Sequence, residues 1–215
     1  MKKILFILFL TLSVIGGCLA QVVTIKHTAY EIHFDTKLKQ PLYTHYILTV
    51  EHAKECIGSK FPRTTFHSDS LLCSTCQASN KNYSGVSKIY DRGHLSPDDD
   101  FRWSKKTERE SMIYDNQSFQ VYQFNRGPWK GSEDYVREIA KLYNVDVTSG
   151  VIYGTKVING LLVPDYYWKI IKYNGKVEAW KMPNTSYKDG DTFKNYMVDP
   201  NELLKLMTDD TGRVY

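Results

Sequence analysis

One amphipathic helix set between two groups of strand-like segments limits this chain to a single mixed fold. Val136, Ile139, Ala140 and Tyr143 fall at i, i+3, i+4 and i+7, the spacing that lines up apolar side chains on one helical stripe, so a helix is predicted over residues 133–143. Ser132 stands where an N-cap would, ahead of acidic first-turn residues, and Pro128 suits a first turn, which allows an earlier start. Residues 29–35 and 42–50 mix aromatic and β-branched residues as strands do, with Lys39-Gln40-Pro41 as the turn between them. Residues 149–153, 166–173 and 177–182 read the same way, the last two joined by the hairpin signal Asn174-Gly175, and Asp199-Pro200 opens a short helix over 199–207. Residues 60–88 are polar, rich in Ser, Thr and Asn, and read as a long surface loop. No repeat interrupts the pattern, which predicts one α+β domain.

The first twenty residues are set apart from that domain. Lys2 and Lys3 precede an apolar run from Ile4 to Leu12 that ends in small residues, the layout of an export signal and too short to span a bilayer. Cleavage after Ala20 leaves Gln21 first and places residues 21–215 in the domain. Lipidation of Cys18, after Ile15-Gly16-Gly17, is the minority alternative. No later segment resembles a membrane span. The expected location is secreted or periplasmic.

The chain holds 28 Lys and Arg against 24 Asp and Glu, and two of the lysines lie in the leader, so the domain carries about +2. Sequence-independent nucleic-acid binding rests on phosphate neutralisation, so any such activity here requires a local basic cleft rather than a basic coat. Cys56, Cys73 and Cys76 remain after cleavage. An oxidising destination makes Cys73-Ser74-Thr75-Cys76 read as part of a loop staple to Cys56, with either partner open; no second CxxC or spaced His pair completes a zinc set.

Residues with chemistry gather in two clusters. Asp91-Arg92-Gly93-His94 is followed by Leu95, Pro97, Asp100 and Phe101, and about thirty residues later Asn125-Arg126-Gly127-Pro128-Trp129 is followed by Glu133 and Arg137. An imidazole that titrates near neutrality can take a proton from water, and Gly93 permits close approach of the backbone to a partner. Glu133 and Arg137, four apart, share a helix face. The triple acid Asp98 to Asp100 reads as a solvated turn.

Together these two clusters resemble the DNA/RNA non-specific endonuclease family, over roughly residues 29–206 and including Lys60-Phe61-Pro62-Arg63, Val163-Pro164 and Trp168-Lys169. The resemblance implies a ββα-metal (His-Me finger) fold with a central, mostly antiparallel sheet flanked by helices. It implies hydrolysis of DNA and RNA phosphodiesters, with Mg²⁺ as cofactor and Mn²⁺ or another divalent cation able to substitute. By the same resemblance His94 is the general base, Asn125 the direct metal ligand, and Glu133 a carboxylate acting on the ion through water. Arg63 and Arg137 are implied near the scissile phosphate, Arg92 in the catalytic set as part of the signature itself, and Asn116 and Gln120, with Arg63 and Arg137, in substrate binding. Phe119, where the family commonly has proline, and Ser132, where it has a bulky apolar residue, are departures, and the cysteine-bearing loop makes the register of Arg63 the least secure. Two other function classes fit an exported chain: a phosphodiesterase acting on nucleotides or small esters, and a nucleic-acid-binding module without turnover. An inhibitor protein is an additional conceivable partner.

Overall fold

The computed structural model describes residues 22–59, 61–188 and 190–208. The leader, its cleavage point, Cys18 and Lys60 lie outside the described residues.

Three strands open the fold: β1 (Val22–Lys26), β2 (Tyr30–Asp35) and β3 (Gln40–Leu48). In β2 the alternation is strict. Tyr30, Ile32 and Phe34 are buried while Glu31 and His33 face outward, as a half-buried strand requires. The bend between β2 and β3 comes earlier than the sequence suggests, because Lys39 takes a left-handed backbone (φ 59°) and Asp35 caps the turn by accepting from the backbone nitrogens of Lys37 and Leu38 at 2.8 and 2.9 Å, so Gln40 and Pro41 already belong to β3. Residues 49–56, partly assigned above to a strand, instead form α1 (Val50–Cys56). Thr49 is its N-cap, its hydroxyl accepting from the His52 backbone nitrogen at 3.1 Å.

The polar stretch that follows is irregular, as expected, apart from a single helical turn at Asn80–Tyr83. Its staple differs from the expectation. Cys73 bonds Cys76 and Cys56 stays free, so the CxxC closes on itself and does not reach α1. A buried amide secures the same loop: Gln77 accepts from the Asp69 nitrogen at 2.7 Å and donates to the carbonyls of Asp69 and Leu72 at 2.8 and 3.1 Å.

Beyond the loop, β4 (Tyr90–His94) pairs antiparallel with β5 (Gln117–Val121), and between them lies α2 (Lys105–Ser111), which periodicity did not signal. The short turn α3 (Tyr122–Phe124) runs through a wide π turn at Asn125–Trp129 into α4 (Lys130–Ala140). This helix therefore starts before Ser132, whose hydroxyl donates to the Trp129 carbonyl at 2.7 Å and does not cap. It also stops short of Tyr143, which is exposed.

The long strands β6 (Val145–Ile158), β7 (Leu161–Tyr173) and β8 (Lys176–Pro183) complete a six-stranded antiparallel sheet in the order β1-β2-β3-β6-β7-β8. Asn174 and Gly175 both take positive φ, the hairpin geometry foreseen for them. One sheet face packs on the main core, which includes Phe34, Phe119, Phe124, Trp129, Tyr167 and Trp180. On the other face α5 (Pro200–Thr208) covers Trp168, Ile170 and Ala179 through Leu203. No helix among the described residues is long and apolar enough to cross a membrane.

Two side chains, through three hydrogen bonds, fasten the β4-β5 ribbon to the large sheet. Tyr167 Oη donates to the Phe119 carbonyl at 3.0 Å, and Asn184 both accepts from the Val121 nitrogen at 2.8 Å and donates to that same Phe119 carbonyl at 2.9 Å. Burial of these polar groups with their partners present fixes the ribbon's position more tightly than apolar packing alone.

Candidate active site

The two sequence clusters are hydrogen-bonded to each other at both ends. At one end Asn125 Nδ2 donates to Asp91 Oδ2 at 2.9 Å; at the other Trp129 Nε1 donates to the His94 carbonyl at 3.2 Å. Asp91 and His94 bracket the β4 motif, and Asn125 and Trp129 bracket the π turn, so each motif measures the length of the other. Arg126 adds a two-pronged pair to Asp91 at 2.8 and 2.9 Å. Burial pushes the Asp91 carboxyl up, but the bonds from Arg126 and Asn125 outweigh it and hold the group below its usual value. Asp91 was singled out above only as part of its motif; its position opposite Asn125 makes it an orienting group. With Asn125 as the metal ligand that the resemblance implies, Asp91→Ala is expected to lower kcat roughly 10- to 100-fold, the usual cost of removing a partner that orients such a ligand. Thermal unfolding of the variant, followed alongside, separates this from loss of fold.

Gly93 permits the close approach anticipated for it. A β-carbon there would stand 1.8 Å from Gln120 Oε1 on the paired strand. Gln120 is wholly buried beneath that glycine, and both of its amide polar atoms lack hydrogen-bond partners. Asn116 is equally enclosed: it donates to the carbonyls of Ser96 and Ser111 at 2.8 and 2.9 Å and accepts from the Ser96 nitrogen at 3.0 Å. Neither side chain is exposed to solvent. In this structure the pair packs within the ribbon and its following turn, while the resemblance implies a part in substrate binding.

His94 ends β4 and is only 7% exposed. Its Nδ1 lies 3.5 Å from Arg63 Nη2, and its Nε2 lies 3.3 Å from the Met112 sulfur. A guanidinium can only donate, so the first contact requires an unprotonated Nδ1, with the ring proton then on Nε2 facing the thioether. Burial first, and then the charges of Arg63 and Arg92, push the imidazole down to about 3 and keep it neutral. Arg63 also reaches Asp98 Oδ1 at 3.2 Å, with its side chain 54% exposed. Arg92 is exposed, bonded to Asn80 Oδ1 at 3.1 Å.

On the helix side, Asn125 has its nitrogen committed to Asp91, and among the described residues no donor is bonded to its oxygen. Glu133, half-buried one turn into α4, has no hydrogen bond to any described residue. Burial, with Asp100 and Asp99 adding to it, raises its carboxyl to about 7, although Lys169 and Arg137 pull the other way. An amide oxygen with no bonded donor and a carboxylate without a hydrogen bond are oxygen donors of the kind a hard divalent cation takes, so these residues fit Mg²⁺.

Arg137 occupies the same helix face, but both of its arms are engaged, Nη1 with Asp100 Oδ1 at 2.9 Å and Nη2 with Asp134 Oδ1 at 2.5 Å. Asp100 is itself buried and accepts from Tyr46 Oη at 2.6 Å. The acidic triplet is therefore not a solvated turn. Asp98 and Asp100 point inward to Arg63 and Arg137, and Asp99 alone stays exposed. Sequence reasoning missed Phe66 and Met112, and it gave no role to the wholly buried Lys169, quoted only as part of the resemblance, whose Nζ sits 4.3 Å above the Trp129 ring. An aromatic in a polar loop and a lysine in an apolar strand carried no periodic signal.

Comparison with known proteins agrees with this architecture. The sequence model of the DNA/RNA non-specific endonuclease family matches residues 17–213. "Endonuclease G, mitochondrial" of Bos taurus is 26% identical over 62% of this chain and 50% of its own length. "Nuclease 1, mitochondrial" of Schizosaccharomyces pombe is 28% identical over 80% of this chain and 60% of its own. "Salivary endonuclease" of Lutzomyia longipalpis is 29% identical over 57% and 33%. The chain thus spans at most 60% of the length of these relatives. Among solved structures, EndoG in its complex with EndoGI superposes with a TM-score of 0.72 at 24% identity, covering 89% of this chain and 84% of that one, which establishes the shared ββα-metal fold. By its two interlocked motifs and by a family match over most of its length, this chain belongs to the DNA/RNA non-specific endonuclease family.

Proposed function

We propose that this chain is an exported, metal-dependent endonuclease that hydrolyses phosphodiester bonds of DNA and RNA without strong sequence preference. The observation that carries the reading is the double clamp between the motifs, which holds a neutral imidazole and a free amide oxygen on adjoining elements beside two arginines. His94 Nδ1 takes a proton from the attacking water, whose oxygen bonds to phosphorus as the 3′-oxygen departs. Arg63 and Arg92 bind the phosphate oxygens, and contacts to phosphate carry no base information, which accounts for the broad substrate range. Burial is the larger cause of the depressed His94 value; phosphate binding offsets the arginine charges and so relieves the smaller part of it.

Mg²⁺, held by Asn125 and influenced through water by Glu133, would supply neutralisation of the charge that builds on the phosphate and the leaving oxygen. Lys169 and Arg137 favour the charged form of Glu133, and Asp100 keeps Arg137 in place. Export is supported by the leader composition of residues 1–20.

The test is digestion of supercoiled plasmid, single-stranded DNA and RNA by the purified domain with EDTA, Mg²⁺ or Mn²⁺. Cleavage of all three with either ion and none with EDTA is expected. Turnover confined to mononucleotide esters, or undiminished in EDTA, would reject the assignment.

A further inference from the structure

Phe66 meets His94, Arg63 and Arg92 together. Its ring centroid lies 5.1 Å from the His94 ring, 4.6 Å from Arg92 Cζ and 5.9 Å from Arg63 Cζ. The aromatic face is electron-rich and attracts guanidinium groups. The arginines need such an anchor. Arg63 is half exposed, with Asp98 as its ion-pair partner, and Arg92 is exposed, with Asn80 accepting its hydrogen bond.

The backbone that carries the ring is held in place. Phe66 O accepts from Tyr114 Oη at 3.3 Å, and the next residue, His67, donates its backbone nitrogen to the Met112 carbonyl at 3.0 Å. Met112 in turn places its sulfur against His94 Nε2. One segment therefore secures Phe66 and also the residue closing the other edge of the imidazole. The groups around the His94 ring are Phe66, Met112, Arg63 and Arg92, with Asp98 behind Arg63.

We propose that Phe66 is a positioning residue: its ring anchors Arg63 and Arg92 beside His94 and fixes how far their charges stand from the imidazole. Without the ring both arginines swing toward solvent, the phosphate site loses its shape, and water reaches the imidazole. The consequence for turnover rests on the nuclease reading, whereas the geometry does not.

Two readouts on Phe66→Leu, Phe66→Met and Phe66→Tyr decide the matter, with thermal unfolding confirming that each variant is folded. The first uses no substrate: histidine NMR follows the His94 ring with pH. In the wild type and in Phe66→Tyr the ring is expected to stay neutral down to about pH 5, while in the Leu and Met variants it titrates measurably higher, toward the ordinary histidine value. The second is the kinetic split: Leu and Met are expected to raise KM and to lower kcat/KM about tenfold, and Tyr to stay within about twofold of wild type. Wild-type His94 titration and kcat/KM in folded Leu and Met variants would overturn the inference, as would an equal loss in the Tyr variant. Absence of hydrolysis by the wild type would reject the nuclease reading alone, because the titration still reports on Phe66.

Discussion

Replacing His94 with alanine is expected to reduce kcat at least a hundredfold, with nucleic acid still bound. A positioned general base contributes about 10²- to 10⁴-fold, and Arg63 and Arg92, which bind phosphate in this reading, remain in the variant. Because the ring is buried against Phe66 and Met112, alanine also leaves a cavity, so His94→Gln serves as a control that keeps volume and polarity without a base. Binding measured by fluorescence anisotropy and cleavage measured on plasmid separate the two functions. Wild-type kcat in either variant would dismiss His94 as the base.

The same residue makes a statement about stability. Its folded value is depressed to about 3 from an ordinary 6.5, so the unfolded chain binds more protons throughout that interval. The sign follows: the contribution is fully present above about pH 6.5 and is lost as pH falls toward 3. Acid unfolding of His94→Gln should therefore be less steep across that window than acid unfolding of the wild type. An identical pH dependence would show that the imidazole is not buried as described.

What could be read in the sequence was whatever repeats or carries a signature. The stripe of Val136, Ile139 and Ala140 located α4, and Asn174-Gly175 located the β7-β8 hairpin, because periodicity and turn chemistry are local properties. The start of α4 shifted because the Ser132 hydroxyl donates to the Trp129 carbonyl three residues back instead of capping, so the helix continues backward into the π turn. The motifs identified His94, Asn125 and Glu133. They could not reveal that Asn116 and Gln120 are enclosed, since burial depends on Gly93 letting Gln120 fit beneath the neighbouring strand. The acidic triplet misled for a related reason. Its charges are matched by Arg63 and Arg137, which lie 35 or more positions away in sequence.

Asn125→Ala is expected to lower kcat at least a hundredfold and to raise the Mg²⁺ concentration needed for half-maximal rate by about 10- to 100-fold, because the only amide oxygen proposed to hold the ion directly is removed. The fold should persist, since Trp129 still donates to the His94 carbonyl and Arg126 still pairs with Asp91. Asn125→Asp sharpens the comparison. It restores an oxygen ligand but exchanges the donor facing Asp91 for a second carboxylate, so the hydrogen bond at 2.9 Å becomes a like-charge contact. Turnover should recover only in part, and more with Mn²⁺, which accepts a wider range of ligands than Mg²⁺ does. Titration of rate against each ion in the three proteins reads both quantities at once. Unchanged ion dependence in a folded Asn125→Ala variant would place the cation elsewhere and leave the clamp between Asn125 and Asp91 as scaffolding.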